Sequence, residues 1–148
     1  MSANTVVYLS ADVKKQIEAE GVRAFPNECC GILVGRDLAG GKRVIDRLVP
    51  MANTFDKAEQ YHRFTVDPKA QIEAEKSADA EGKSVLGYYH SHPNHPAKPS
   101  EFDRQNMPPF TFYSQVIVSI MDRVPADMTC WYLDEESEQF AATRIVVE

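Results

Sequence analysis

Several features that mark secreted, membrane and nucleic-acid-binding proteins are missing from this chain. No apolar run in its 148 residues approaches the length of a bilayer-spanning helix. Residues 1–7 have neither the basic start nor the apolar core of a signal peptide. The formal net charge of −6 argues against a nucleic-acid partner. We therefore expect a cytoplasmic protein whose partners include neither a membrane nor a nucleic acid.

Cysteine is scarce as well. The chain has three, Cys29, Cys30 and Cys130. An odd number, without Cys-x-x-Cys spacing or a secretion signal, argues against a disulfide framework. Free cysteine is usually buried, so we predict that one of the adjacent pair packs in the core as a small apolar side chain. A nucleophilic or metal-binding role for this pair is the alternative.

The remaining composition is that of a globular protein. A hydrophobic fraction of 43% and a charged fraction of 26% suit one domain with a true core, which we expect to span residues 1–148. Helices are predicted over residues 11 to about 24, behind the N-cap Ser10, and 68 to about 80, behind Asp67. Strands are predicted at residues 5–9, 30–35, 42–49, 61–66, 84–92, 115–121, 128–133 and 139–147. Helices mixed with hairpins indicate an α/β protein with a mixed sheet.

The most informative segment is His90-Ser91-His92-Pro93, followed by Ser100 and Asp103. Alternation along a strand puts His90 and His92 on one side of the chain. An aspartate on the following loop or helix start can return as a third ligand, and two imidazoles with a carboxylate form a hydrolytic zinc site. The alternative for two histidines alone is a hydrogen-bonded pair at the end of a strand.

This segment resembles the signature of the JAMM (MPN-plus) metalloproteases, in which His-x-His-Pro is followed by a serine and an aspartate at fixed spacing. The upstream glutamate of that family matches Glu28, which lies just before the strand that begins near Cys30. The resemblance covers nearly the whole chain. It implies the JAMM fold, a curved mixed β-sheet flanked by helices and similar to that of cytidine deaminases.

The resemblance also implies a role for each residue of the motif. His90, His92 and Asp103 would bind Zn²⁺, and Glu28 would act as the catalytic base and then as the acid that protonates the leaving amine. Ser100 would be catalytic through a hydrogen bond to the developing oxyanion. Ser100 is also a candidate N-cap of a short helix, and the sequence does not decide between these two tasks.

The implied reaction is the hydrolysis of an amide or isopeptide bond. The spacing between His92 and Asp103 leaves no room for an extra element, so the chain resembles compact prokaryotic members that process a sulfur-carrier protein. The implied partner is a ubiquitin-like or sulfur-carrier protein with a C-terminal Gly-Gly. The alternatives are a hydrolase of cell-wall or other peptides and a non-catalytic scaffold. A zinc nucleoside deaminase is disfavoured because its Pro-Cys-x-x-Cys pattern is missing.

Overall fold

A computed structural model of the chain describes residues 3–106 and 111–148. Its strands are β1 (Val6–Leu9), β2 (Cys30–Leu38), β3 (Lys42–Met51), β4 (Ser84–Pro93), β5 (Ser114–Met121), β6 (Val124–Leu133) and β7 (Phe140–Val147). Its helices are α1 (Ala11–Ala24), α2 (Pro68–Ala80) and α3 (Glu101–Asn106), with a short 3₁₀ turn at Lys57–Glu59. No helix in the described ranges is long and apolar enough to cross a membrane.

The strands form one mixed sheet that closes on itself in the order β1-β3-β2-β4-β5-β6-β7. β1 pairs in parallel with both β3 and β7, and β4 pairs in parallel with β5, whereas the other neighbours are antiparallel. The predicted α/β class with a mixed sheet is therefore confirmed. Closure of the sheet through the four-residue strand β1 was not predicted from the sequence.

Both long helices begin where their capping residues predicted. The Ser10 hydroxyl accepts a hydrogen bond from the Val13 N–H at 3.1 Å, and the Asp67 carboxylate accepts one from the Lys69 N–H. α1 packs so closely against the sheet that a Cβ added at Gly21 would lie 2.8 Å from a side-chain carbon of Ile120. This helix and the apolar faces of the strands enclose the main core.

A glycine sets the approach of β4 to β5. Gly87 has a φ of +152°, and a Cβ there would lie 1.8 Å from the Ser114 carbonyl oxygen. The register between β2 and β4 also shifts at this level, between Leu33 and Val34. Beyond the irregularity the pairing is regular, and it places His90 opposite Cys30. The strand that holds the histidines is thus fixed from both sides.

One predicted strand is wrong. Residues 61–66 are irregular, and they belong to a loop from residue 52 to residue 66 that contains only the short 3₁₀ turn as regular structure. The physical reason is that side chains of this loop form hydrogen bonds with its backbone groups. These bonds replace the ones that a neighbouring strand would form. The segment Met107-Pro108-Pro109, whose prolines predict the end of the short helix behind Ser100, lies outside the described residues.

Candidate metal centre

His90 and His92 point to the same side of β4. The two residues are 0% and 6% exposed, respectively, and their Nε2 atoms lie 3.0 Å apart. The intervening Ser91 points the other way, as alternation requires. Its hydroxyl accepts a hydrogen bond from the Cys29 N–H at 2.8 Å, while the Ser91 N–H donates to the Cys29 carbonyl at 3.2 Å. The middle residue of the motif therefore ties β4 to the segment that contains Glu28.

Helix α3 brings Asp103 to the two imidazoles. Its Oδ2 atom lies 3.3 Å from His90 Nε2 and 3.2 Å from His92 Nε2. Asp103 and Ser100 also form reciprocal hydrogen bonds, since the Asp103 N–H donates to Ser100 Oγ at 3.0 Å and the Ser100 N–H donates to Asp103 Oδ2 at 2.9 Å. This is a capping box with aspartate in the third helical position. The start of the helix thus orients the carboxylate.

The backbone fixes the tautomer of His92. Its Nδ1 lies 2.8 Å from the Pro96 carbonyl oxygen, which can only accept a hydrogen bond. Nδ1 of His92 must therefore hold the proton, and in the neutral ring the Nε2 lone pair faces His90 and Asp103. A carbonyl partner on the remote nitrogen is the usual way in which proteins orient a histidine ligand.

The His90 ring is enclosed in a different manner. It stacks on Phe64, with centroids 4.6 Å apart and planes inclined by 29°. Its Nδ1 is buried and has no hydrogen-bond partner within residues 3–106 and 111–148. Burial lowers the pKa of His90, although the neighbouring Asp103 opposes this effect. The ring is therefore neutral near pH 7, which is the form that binds metals.

Asp103 is ionised in this environment. Burial alone would raise its pKa, but a favourable electrostatic interaction and a hydrogen bond with His90 outweigh burial, and hydrogen bonds from His92 and the Ser100 N–H add to them. The net result is a pKa below the ordinary value of an aspartate. Two imidazoles and one carboxylate therefore meet in a buried space, which is a donor set suited to a divalent cation.

Glu28 also lies close to the two imidazoles. It is 4% exposed, and one of its carboxylate oxygens and a ring nitrogen of each histidine all lie within 4.8 Å of one another. Its Oε1 has no hydrogen-bond partner in the described part of the chain. Burial, and then the charge of Asp103, raises the pKa of Glu28 to about 9. A buried carboxyl with an unused oxygen and a raised pKa is suited to accept and return a proton.

The loop of residues 52–66 forms hydrogen bonds with both the N–H and the carbonyl group of Glu28. The Glu28 N–H donates to the Gln60 carbonyl at 2.8 Å, and the Glu28 carbonyl accepts from Asn53 Nδ2 at 3.2 Å. Asn53 Nδ2 also donates to the Arg63 carbonyl, and Asn53 Oδ1 accepts from the N–H groups of Phe55 and Thr65. One amide side chain thus organises the loop and joins it to Glu28.

A cavity of about 290 Å³ opens beside these groups. Glu28, His92 and Ser100 line it, together with Phe102 and residues of the loop. Ser100 is exposed, and its hydroxyl oxygen accepts the capping hydrogen bond from Asp103. A hydroxyl has two lone pairs and one hydrogen, so its own proton remains available to a ligand in the cavity. The two tasks considered for Ser100 are therefore compatible.

The cysteines beside Glu28 have no features of a nucleophile. Cys29 is 8% exposed and Cys30 is 1% exposed. Burial raises the pKa of both thiols to about 12, so neither is a thiolate at neutral pH. Cys29 belongs to the main core cluster, in agreement with the prediction that one of this pair packs as a small apolar residue.

The structure therefore brings together Glu28, His90, His92, Ser100 and Asp103, which are separated by up to 75 positions in sequence. Sequence reasoning missed Asn53, Arg63 and Phe64. The segment of Phe64 had been assigned to a strand, which hid its contact with His90. The available sequence signal was that Asn53 begins a segment without apolar periodicity. Asparagine side chains often form hydrogen bonds with backbone groups in such loops.

The chain is similar to several known proteins. The family model of prokaryotic homologues of the JAB domain matches residues 10–134. A probable TtuB-protein conjugate cleaving protease of Thermus thermophilus is 33% identical over 98 residues, which are 66% of this chain and 61% of that protein. A desampylase of Haloferax volcanii is 31% identical over 101 residues, covering 66% and 69% of the two chains. The match thus spans less than two thirds of the Thermus relative.

Solved structures are similar over most of the chain. The solution structure of a protein from Desulfitobacterium hafniense has a TM-score of 0.80 and 28% identity, and covers 96% of this chain and 92% of that one. A protein from Salinibacter ruber gives 0.72 and 32%, with coverages of 95% and 91%. A JAB1/MPN domain protein from Archaeoglobus fulgidus, at 20% identity and a TM-score of 0.53 over 99% of both chains, shares the fold.

Proposed function

Because the chain belongs to the prokaryotic homologues of the JAB domain, the compact prokaryotic JAMM family, we propose that it is a zinc-dependent metallopeptidase. Its reaction is hydrolysis of the amide bond that follows the C-terminal Gly-Gly of a ubiquitin-like or sulfur-carrier protein. His90, His92 and Asp103 hold the zinc ion, Glu28 transfers protons, and Ser100 donates a hydrogen bond to the substrate.

The separation of the three ligand atoms is the observation on which the proposal rests. His90 Nε2, His92 Nε2 and Asp103 Oδ2 lie 3.0, 3.2 and 3.3 Å from one another. A tetrahedral zinc ion with bonds of about 2.0–2.1 Å separates its ligands by about 3.3–3.4 Å. The donor atoms therefore fit one face of a zinc tetrahedron. A hydrogen-bonded histidine pair would not need a carboxylate equidistant from both rings.

When bound, Zn²⁺ supplies a Lewis acid that polarises a carbonyl and makes water acidic near neutral pH. Glu28 accepts the proton from the attacking water through its unused oxygen and returns it to the leaving nitrogen. The Ser100 hydroxyl stabilises the oxygen of the scissile carbonyl as negative charge develops on it. Pro96, through its carbonyl, keeps His92 in the tautomer that exposes Nε2.

The proposed partner is supported by the names of the relatives. The Thermus relative is a probable TtuB-protein conjugate cleaving protease and the Haloferax relative is a desampylase. The first of these names describes the cleavage of a protein conjugate. A Gly-Gly end suits the cavity of about 290 Å³, because glycine lets the backbone come close to buried catalytic groups without a side-chain clash.

The decisive experiment measures zinc content and hydrolysis together. We expect one zinc per chain and cleavage of a sulfur-carrier protein extended by one amino acid after Gly-Gly, with loss of cleavage on chelation and recovery on zinc addition. The same carrier joined through a lysine side chain tests the isopeptide form. Zinc binding without cleavage of either form would redirect the search to cell-wall or other peptides. Failure to bind zinc would contradict the ligand assignment.

A loop variant tests how Glu28 is held. Asn53→Asp keeps the acceptor for the N–H groups of Phe55 and Thr65 but removes the donor to the carbonyls of Glu28 and Arg63. Misplacement of a catalytic group by about 1 Å costs about 10²-fold in rate, so we expect a fall in kcat of roughly 10- to 100-fold with little change in KM. Amide hydrogen exchange at Glu28 should also quicken.

Thr54→Val is the matched control for that variant. It removes the hydrogen bonds of an exposed hydroxyl to Thr65 within the same loop and leaves the bond to Glu28 intact. We expect its kcat and the exchange rate of the Glu28 amide to stay near wild type. Equal behaviour of Asn53→Asp and Thr54→Val in both measurements would contradict the positioning of Glu28 by Asn53.

A further inference from the structure

Arg63 is a polar residue of the cavity that the proposed reaction does not use. It lines the cavity of about 290 Å³ together with Glu28, His92 and Ser100. Its Nε atom is buried and has no hydrogen-bond partner in residues 3–106 and 111–148. Within the same ranges no carboxylate forms an ion pair with its guanidinium. A buried donor on a charged group is costly unless a ligand or partner satisfies it.

Aromatic rings hold this guanidinium in place. Its central carbon lies 4.5 Å from the centroid of Phe102 and 6.0 Å from that of Phe55, and the two rings meet edge to face at 5.5 Å. The Arg63 carbonyl accepts a hydrogen bond from Asn53 at 2.9 Å, which fixes the main chain as well. The guanidinium is thus held in place by contacts that, among the described residues, leave its Nε–H without a hydrogen-bond partner.

The charges of the cavity wall favour an anion. Its lining includes the cationic side chains of Arg63 and Lys98, whereas Glu28 is the one carboxylate among the lining residues. The chain as a whole has a net charge of −6, so this distribution is opposite to that of the molecule. A planar guanidinium binds a carboxylate through two parallel hydrogen bonds, a geometry that lysine does not offer.

We propose that Arg63 and the cavity it lines form a carboxylate-binding subsite. The inference rests on the proposed function, because it assigns a ligand group to the same cavity. Hydrolysis after Gly-Gly offers two sources of a carboxylate. One is the α-carboxylate of a single amino acid released as the leaving group, and the other is the C-terminal glycine carboxylate left on the carrier protein. Both share the chemistry that a fixed guanidinium recognises.

Binding of small probes tests the subsite without turnover. The zinc-loaded protein is titrated by NMR with acetyl-Gly-Gly and its C-terminal amide, which represent the carrier product, and with alanine and alaninamide, which represent the leaving group. We expect the acid of one pair to bind about 10- to 100-fold more tightly than its amide, the range of a hydrogen bond to a charged group. The pair that shows the preference identifies the source of the carboxylate.

Arg63→Met should bring the acid-to-amide ratio close to one, since its side chain keeps the apolar contacts with Phe55 and Phe102 but lacks the charge. Arg63→Lys should retain part of the preference and guards against a folding defect in the first variant. Arg123→Met is the matched control, because that arginine also stacks on a phenylalanine, Phe25 at 5.2 Å, and is not among the residues that line the cavity.

Two results would overturn the subsite: equal binding of acid and amide in both pairs to the wild type, or an unchanged preference in Arg63→Met with normal zinc content. Failure of the proposed function would look different. In that case the wild type would not cleave the extended carrier, while the preference for acid over amide and its loss in Arg63→Met would persist.

Discussion

Glu28→Gln is expected to eliminate measurable hydrolysis while zinc binding stays at one ion per chain. The amide has nearly the shape of the carboxyl group but can neither accept a proton from water nor return it to an amine. General acid–base catalysis contributes about 10²- to 10⁴-fold for each proton transfer, and both transfers are assigned to Glu28. Single-turnover rates with metal analysis on the same samples provide the measurement.

The same variant tests a second arrangement of ligands. A Glu28 oxygen lies within 4.8 Å of a nitrogen of each histidine, so Glu28 could replace Asp103 as the third ligand on distance alone. Asp103 Oδ2 is closer, at 3.2 and 3.3 Å, and the Ser100 N–H orients it. Loss of zinc from Glu28→Gln with retention in Asp103→Asn would reverse the two assignments.

Glu20→Gln is the control for Glu28→Gln. Glu20 and Glu28 both line a second cavity, distinct from the one beside Ser100. The Glu20 carboxylate accepts hydrogen bonds from the Tyr89 hydroxyl at 2.8 and 2.9 Å. The amide oxygen of glutamine can still accept from that hydroxyl. This variant therefore loses a nearby carboxylate without losing the proposed proton carrier. We expect its rate to remain within a few-fold of wild type.

Stability should change in the opposite direction to activity. Burial raises the pKa of Glu28 from 4.5 to about 9 in the metal-free protein, so the folded chain retains a proton that the unfolded chain releases. From pH 4.5 towards pH 9 the free energy of unfolding should then fall by up to about 1.4 kcal/mol per pH unit from this group. Metal-free Glu28→Gln should lack this decline and unfold at a higher temperature near pH 8.

The grouping of His90, His92 and Asp103 follows in part from local rules of strands and helix starts. His90 and His92 share one face through strand alternation, and Asp103 follows a serine that caps a helix start. Each of these two relations joins residues only a few positions apart, so it can be inferred from their spacing in the sequence. The helices were predicted for the same reason, since Ser10 and Asp67 precede apolar periodicity and act as N-caps in the structure.

The contacts around these residues join segments that are distant in sequence, so residue spacing does not reveal them. Glu28 reaches the imidazoles because β2 pairs with β4 and Cys30 lies opposite His90. Phe64 contacts His90 from a loop whose conformation is fixed by Asn53 rather than by periodicity. Long-range pairing and side-chain hydrogen bonds within a loop leave no periodic pattern, so neither was predicted, and Glu28 was placed at the site by the family resemblance alone.

Closure of the sheet was hidden for a related reason. β1 is only four residues long, yet it pairs in parallel with β3 and with β7, and so joins the two ends of the series β3-β2-β4-β5-β6-β7. Parallel pairing of segments this far apart in sequence follows from the path of the whole chain. A short apolar run at the start of a sequence indicates a strand but not its neighbours.

Ser100→Ala is expected to slow hydrolysis by about 10²- to 10³-fold, the usual effect of removing one oxyanion donor. The same change removes the acceptor for the Asp103 N–H, and loss of an N-cap costs about 1 kcal/mol of stability. These two effects must be separated, because a loosened Asp103 would also weaken zinc binding. Rate, zinc affinity and thermal unfolding should therefore be measured on one preparation.

Ser10→Ala separates the two roles of Ser100, because Ser10 caps α1 through an equivalent hydrogen bond to the Val13 N–H at 3.1 Å. Both alanine variants should lose similar stability, but only Ser100→Ala should lose rate. Ser100→Thr, which keeps an acceptor and a donor, should restore most of the activity. If Ser100→Ala hydrolyses substrate as fast as Ser10→Ala at saturating zinc, then the hydroxyl serves the helix alone and the oxyanion must be stabilised without it.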